Sequence, residues 1–147
     1  LEMRICDVCT DLEHGIAIAA VYRCLLRMLY RLRRANQRWR RYAHMLINEN
    51  RWRAQRYGCD EGLVDFGKGE IVPYAQLLDE MLALIAEDAD HLGCTAEVQR
   101  ARSILSAGTS ADRQRAIHQA ALADGATPEE ALRAVVDWLI AATVAPA

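Results

Sequence analysis

The chain has 147 residues, 52% apolar and 26% charged, which is enough for one domain with a core and too apolar for a chain disordered by composition. Its net charge of −2 hides an uneven distribution: Arg23 to Arg56 holds eleven arginines against a single acid, Glu49, whereas residues 57–147 hold fifteen acids against six cations. No run approaches the ~18 uninterrupted apolar residues that span a bilayer, and no basic-then-apolar leader with a cleavage site opens the chain, so a cytoplasmic protein is expected rather than a membrane or secreted one.

Leu1, Met3 and Ile5 alternate with Glu2 and Arg4, the period-two pattern of a half-buried strand over residues 1–7. No hairpin turn or second strand follows, so the sheet that pairs this strand is expected in polypeptide outside the chain. The start at Leu1 fits that view: either Met3 initiates translation or the chain is a piece of a longer protein.

Thr10-Asp11-Leu12-Glu13 reads as a capping box that opens a helix to about Arg34. Ile18, Leu25, Leu29 and Leu32 give that helix an apolar side, and Arg23, Arg27, Arg31 and Arg34 line another. After a break at Ala35-Asn36-Gln37, a second helix is expected from about Arg38 to Tyr57, stopped by Gly58; together they make an Arg-rich pair over residues 11–57.

In residues 59–72, Leu63-Val64-Asp65-Phe66 and Glu70-Ile71-Val72 flank Gly67-Lys68-Gly69, which predicts a short hairpin or ordered loop. Pro73 begins a third helix ended by Gly93. Thr95 caps a fourth that Gly108 ends, and Ser110 a fifth that ends near Gly125. Thr127-Pro128-Glu129-Glu130 joins a capping box to a proline at the first helical position and opens a sixth, to about Thr143. The last four helices form an acidic region over residues 73–143. The expected class is mostly α: about six helices, one N-terminal strand and a small hairpin.

Cys6-Asp7-Val8-Cys9 has redox or half-zinc spacing, but no second such pair and no paired histidines accompany it, so a metal or redox role is not expected. The five cysteines are odd in number and scattered, which argues for reduced thiols. There is no nucleophilic triad motif, glycine-rich phosphate loop or paired-histidine metal motif.

Leu1 to Asp7, followed by a capped Ala-rich helix, resembles the closing strand of the glutamine synthetase-like catalytic fold, which carries a Glu-x-Arg pair. Asn50-Arg51-Trp52-Arg53-Ala54-Gln55-Arg56-Tyr57-Gly58 is similar to the Asn-x-Trp-x-Ala-x-Arg-x-Gly segment of the second-type glutamate–cysteine ligases, also called carboxylate–amine ligases. Val72-Pro73 and the stretch from Gly108 to Arg115 resemble the same family. The Glu-x-Arg pair is a weak signal by itself, the Trp-centred segment is more specific, and the order and spacing of all of them carry the match over nearly the whole chain.

The resemblance implies the C-terminal part of an α+β enzyme that uses ATP and Mg2+ to join a carboxylate to an amine, glutamate and cysteine being the family's usual pair. It implies Glu2 as the magnesium ligand and Arg4 as a catalytic phosphate contact; side chains two apart on a strand project to one face, which lets the two act together. It also implies that Asn50, Trp52, Arg53 and Arg56 bind a substrate carboxylate or nucleotide phosphate, arginine offering a planar donor fork. Expected partners are the preceding part of the same catalytic domain, amino-acid substrates and a second copy of the chain. Two readings compete: an Arg-rich surface for nucleic acid, with Trp39, Tyr42 and Trp52 among the arginines, and a structural dimerisation module.

Overall fold

In the computed structural model, Met3, Cys6 and residues 8–144 are described. The expected strand over residues 1–7 lies outside that set apart from Met3 and Cys6, and so do Glu2 and Arg4.

Helix α1 (Leu12–Arg34) begins at Asp11, whose Oδ1 accepts hydrogen bonds from the amides of Glu13 (2.8 Å) and His14 (3.1 Å). The cap is therefore Asp11 and not Thr10. The Thr10 hydroxyl is drawn away to Ser110 Oγ, 2.7 Å distant across the fold, and the Glu13 carboxylate pairs with Arg100. Asn36 turns the chain after α1 with φ +56°.

Helix α2 (His44–Tyr57) starts later than the expected Arg38. A helix through residues 38–43 would stack Arg38 on Arg34 and Arg41 on Arg38, like charges at helical neighbour positions with no acid near to offset them. That segment instead runs as a coil, pinned where the Tyr42 ring meets Phe66 at 4.8 Å between centroids. Gly58 ends α2 at φ +58°.

Strands β1 (Leu63–Asp65) and β2 (Glu70–Val72) form the expected hairpin, with Leu63 opposite Val72 and Asp65 opposite Glu70. Asp65 Oδ1 accepts from the amides of Gly67 (2.7 Å) and Lys68 (3.1 Å), which closes the turn. Those two backbone bonds, Lys68 first, hold the Asp65 carboxyl below the usual aspartate range.

The expected third helix is two: α3 (Tyr74–Leu84) and the short α4 (Ala86–His91), broken at Ile85. Burying Ile85, Asp88 and Ala89 together against α1 requires this change of direction. Helix α5 (Thr95–Ala107) has Cys94 at its N-cap, with Thr95 already inside. Helix α6 (Ser110–Ala123) is capped by Thr109 in a box with Asp112, so Ser110 is its first residue and not its cap. Helix α7 (Pro128–Val144) opens as expected, the Glu130 carboxylate accepting from the Thr127 amide at 2.8 Å.

The core is Ala20, Cys24 and Met28 of α1 against Leu82, Ile85, Ala89, Cys94 and Val98. Helix α1 turns Ala17, Ala20, Cys24 and Met28 fully inward; of the expected apolar side, Leu25 and Leu32 pack against the same core, Ile18 lines the apolar cavity beside it, and Leu29 is exposed. Small side chains at Ala17 and Ala20 let α1 lie close along α5, its main partner. Helices α6 and α7 pair with each other, and α2 leans on β1. No helix among the described residues is long and apolar enough to cross a membrane.

Candidate functional site

The Trp-centred segment sits on α2 and clasps the hairpin. Asn50 Nδ2 donates to the Val64 carbonyl oxygen at 2.9 Å while its Oδ1 accepts from the Val64 amide at 2.7 Å, so the side chain acts as a third strand would. Arg53, buried despite its charge, donates to the carbonyl oxygens of Gly62 (3.2 Å) and Glu61 (3.1 Å) and pairs with the Glu61 carboxylate at 3.4 Å. Gly62 makes this possible: at φ +54° an added Cβ would meet the Val72 carbonyl oxygen at 2.2 Å.

Trp52 and Arg56 have a different standing. Trp52 is 49% exposed and meets Tyr57 edge-on at 5.4 Å, and the exposed Arg56 guanidinium lies 6.0 Å from the same ring. Tyr57 is thus flanked by Arg53, at 5.5 Å, and Arg56. Of the four residues, two spend their polar groups on the backbone of the hairpin and two present theirs outward.

The arginine face of α1 is partly buried business. Arg27 and Arg31 both donate to Asp88, which is wholly buried on α4; Arg31 Nη2 lies 2.9 Å from Asp88 Oδ2, and Arg31 also reaches Glu87 at 3.3 Å. Burial pushes the Asp88 carboxyl up, and the hydrogen bonds from Arg31 and Arg27 outweigh it and hold the group below the usual range. The sequence lines these arginines along one side of α1 without fixing which acid they meet. The available signal was an i, i+4 arginine pair facing an acid set among apolar residues on a distant helix.

Near the start of α1 a cavity of about 660 Å3 is lined by Asp11, His14, Ile104, Ser110, Arg113 and Trp138, among others. At its edge His14 Nε2 lies 3.1 Å from Ser103 Oγ, and His14 Nδ1 lies 4.0 Å from Asp11 Oδ2. This has the outline of a hydrolytic triad but not its chemistry. The Ser103 proton goes to the Arg100 carbonyl oxygen at 2.7 Å, so Ser103 accepts from His14 rather than giving up a proton to it. The arrangement ties α1 to α5.

A second cavity, about 430 Å3 and almost entirely apolar, lies among α1, α3 and α5, with Met3 in its lining. No three His, Cys, Asp or Glu side chains converge on a cation position among the described residues. No disulfide joins the five cysteines, all of which are described, and Cys24 and Cys94 sit with their sulfurs 3.6 Å apart in the core.

The family model of glutamate–cysteine ligase family 2 matches residues 1–137, and the chain belongs to that family. Three relatives share the name "Putative glutamate--cysteine ligase 2". The chain is 66% identical to the one from Rhodospirillum rubrum over 146 residues, covering 99% of this chain and 38% of that protein. Those from Jannaschia sp. (strain CCS1) and Paracoccus denitrificans are 53% and 49% identical over 140 residues, each match covering 95% of this chain and 37% of the relative. The chain therefore spans less than two fifths of the length of these relatives. No solved structure matches it.

Proposed function

We propose that the chain is the C-terminal helical part of a cytoplasmic, ATP-dependent carboxylate–amine ligase of the glutamate–cysteine type, inactive by itself. The observation that carries this reading is the family match over residues 1–137, which takes in both the Glu2-Met3-Arg4 segment and the clasp from Asn50 to Gly58.

In the parent enzyme the γ-carboxylate of glutamate attacks the γ-phosphorus of ATP, the bond to the bridging oxygen breaks, and ADP leaves. The amine of cysteine then attacks the acyl phosphate, and phosphate departs as the amide forms. Phosphoryl transfer of this kind depends on positioning and on cations around crowded oxygens.

Arg4 would supply one such cation. Glu2 would hold Mg2+, which neutralises phosphate charge when bound and takes few protein carboxylates. The described residues contain no clustered acidic donors for it, so its other ligands would come from polypeptide beyond them. Trp52 and Arg56 would face anionic substrate groups. Asn50 and Arg53 would act as positioning residues, holding the hairpin behind α2. Amino-acid substrates, the preceding part of the catalytic domain and a second copy are the partners in this reading.

The test is made on the full-length parent and on this chain alone. With ATP, magnesium, glutamate and cysteine, the parent should release phosphate and the chain alone should not. Glu2→Ala in the parent should lower turnover by orders of magnitude and weaken its magnesium dependence; unchanged kinetics would remove Glu2 from the site, and phosphate release by the isolated chain would overturn the claim of inactivity.

A further inference from the structure

Helix α7 carries an apolar ridge on the side turned away from the fold. Leu132, Val136 and Ile140 recur every four residues and are 58%, 52% and 60% exposed. Residues four apart share a helical face, so the three side chains form one row about 12 Å long. The opposite side of the helix is the one the fold uses. Ala131 and Val135 are buried, and Trp138 lines the cavity that Cys6 and Thr10 also line. Single apolar residues scattered on a surface need no partner, but a contiguous row marks an interface.

We propose that this ridge joins two copies of the chain, packed antiparallel about a two-fold axis through Val136. Position is the first observation that selects a second copy. The described N-terminal residues Met3 and Cys6 lie in the cavities among α1, α3 and α5 and beside Trp138. Polypeptide joined to them meets the inner side of α7, whereas Val136 projects about 160° round the helix from Trp138.

Charge is the second. One flank of the ridge carries Arg133 and Asp137, both exposed; Arg133 pairs with Glu129 at 2.7 Å, and no ion pair engages Asp137 among the described residues. In an antiparallel pair centred on Val136, Leu132 faces the partner's Ile140 and like flanks meet. Each Arg133 then comes within one helical turn of the partner's Asp137. A parallel pair would set that charged flank against the flank of Leu139 instead. The surface is thus complementary to itself in one orientation, which is what a two-fold contact requires.

A single helix pair lies at the small end of specific interfaces, so association is expected in the micromolar range. Sedimentation equilibrium of the 147-residue chain at up to about 200 µM should fit a monomer–dimer scheme. Val136→Asp sets two carboxylates face to face at the axis and should weaken association about a hundredfold or more. Its helicity by circular dichroism should be unchanged, because the side chain is exposed. Arg133→Asp and Asp137→Arg should each weaken association about threefold or more, and the double exchange should restore it by re-forming the pair in the reverse sense.

A chain that stays monomeric throughout overturns the proposal, as does a dimer that Val136→Asp leaves intact. A double exchange no better than its two single variants combined overturns the antiparallel arrangement. In the full-length parent, Val136→Asp should convert a dimer to monomers. A parent that is monomeric, or whose assembly ignores the substitution, would mean that other polypeptide covers the ridge, and the assignment falls. Phosphate release by the same samples reads the ligase activity separately, so either claim can fail while the other stands.

Discussion

Arg31 Nη2 lies 2.9 Å from Asp88 Oδ2, and that contact, with its companion from Arg27, fastens α1 to α4 through a carboxylate that has no exposure to solvent. A buried charge is tolerated when it is paired and hydrogen-bonded, and removing one partner leaves the others poorly placed. Asp88→Asn keeps the shape and removes the charge. Both guanidiniums are partly exposed and can turn to water, so the expected loss is about 2–3 kcal/mol, below the range for a fully buried pair. Urea unfolding followed by circular dichroism measures it, and a loss below about 0.5 kcal/mol would show that the pair does not stabilise the fold.

The same carboxyl predicts sensitivity to acid. Its folded-state ionisation lies below the ordinary aspartate value of about 4, so its stabilisation is complete above that pH and is lost as the pH falls through the lower, folded-state range. Unfolding midpoints should drop steeply below about pH 4. The Asp88→Asn variant should show a shallower slope there, and parallel slopes would assign the acid lability to other carboxylates.

Asn50 replaces a missing strand by pairing with both backbone groups of Val64. Asn50→Ala strands a half-buried donor and acceptor and should cost about 1–2 kcal/mol. Asn50→Asp retains the acceptor for the Val64 amide and loses the donor, so it should fall between the two. Equal stability of the three proteins would mean that water replaces the contact freely.

Gly62 and Gly58 have similar positive φ but different surroundings. Gly58→Ala meets open space and should cost about 1 kcal/mol from backbone conformation alone. Gly62→Ala would drive a methyl group into the Val72 carbonyl and should cost more than about 2 kcal/mol, with loss of amide protection in β1 and β2. Hydrogen exchange separates the two cases.

Cys24 is wholly buried, and burial together with the neighbouring Cys94 thiol pushes its ionisation up to about 12. Alkylation requires thiolate, so at pH 8 iodoacetamide should modify the exposed Cys6 and leave Cys24 until the chain unfolds. Mass spectrometry of the labelled chain gives the answer. Equal labelling rates would mean that α1 opens far more readily than its packing implies.

Residues 1–137 carry enough local pattern for the family to be legible in the sequence. Gly58, Pro73, Gly108 and the Thr127-Pro128-Glu130 signal punctuated the helices at or near the observed ends, because a cap or a positive φ is decided within four residues. The candidate site was legible in part. The segment from Asn50 to Gly58 stood out by its motif, but nothing in its composition distinguished Asn50 and Arg53, which hold the hairpin, from Trp52 and Arg56, which face outward.

By itself, then, the sequence determined the helical class, the hairpin and its turn, and the charge division between the first and second halves, all of which are properties of neighbours along the chain. The tertiary structure alone decided that Asp11 rather than Thr10 caps α1, that Leu29 stays exposed while Leu25 and Leu32 pack against the core, and that Arg27 and Arg31 serve a carboxylate 61 and 57 residues away. Each of these choices turns on a partner brought close by folding, and the strength of a charge or hydroxyl contact depends on that partner and on the water excluded with it, neither of which local spacing encodes.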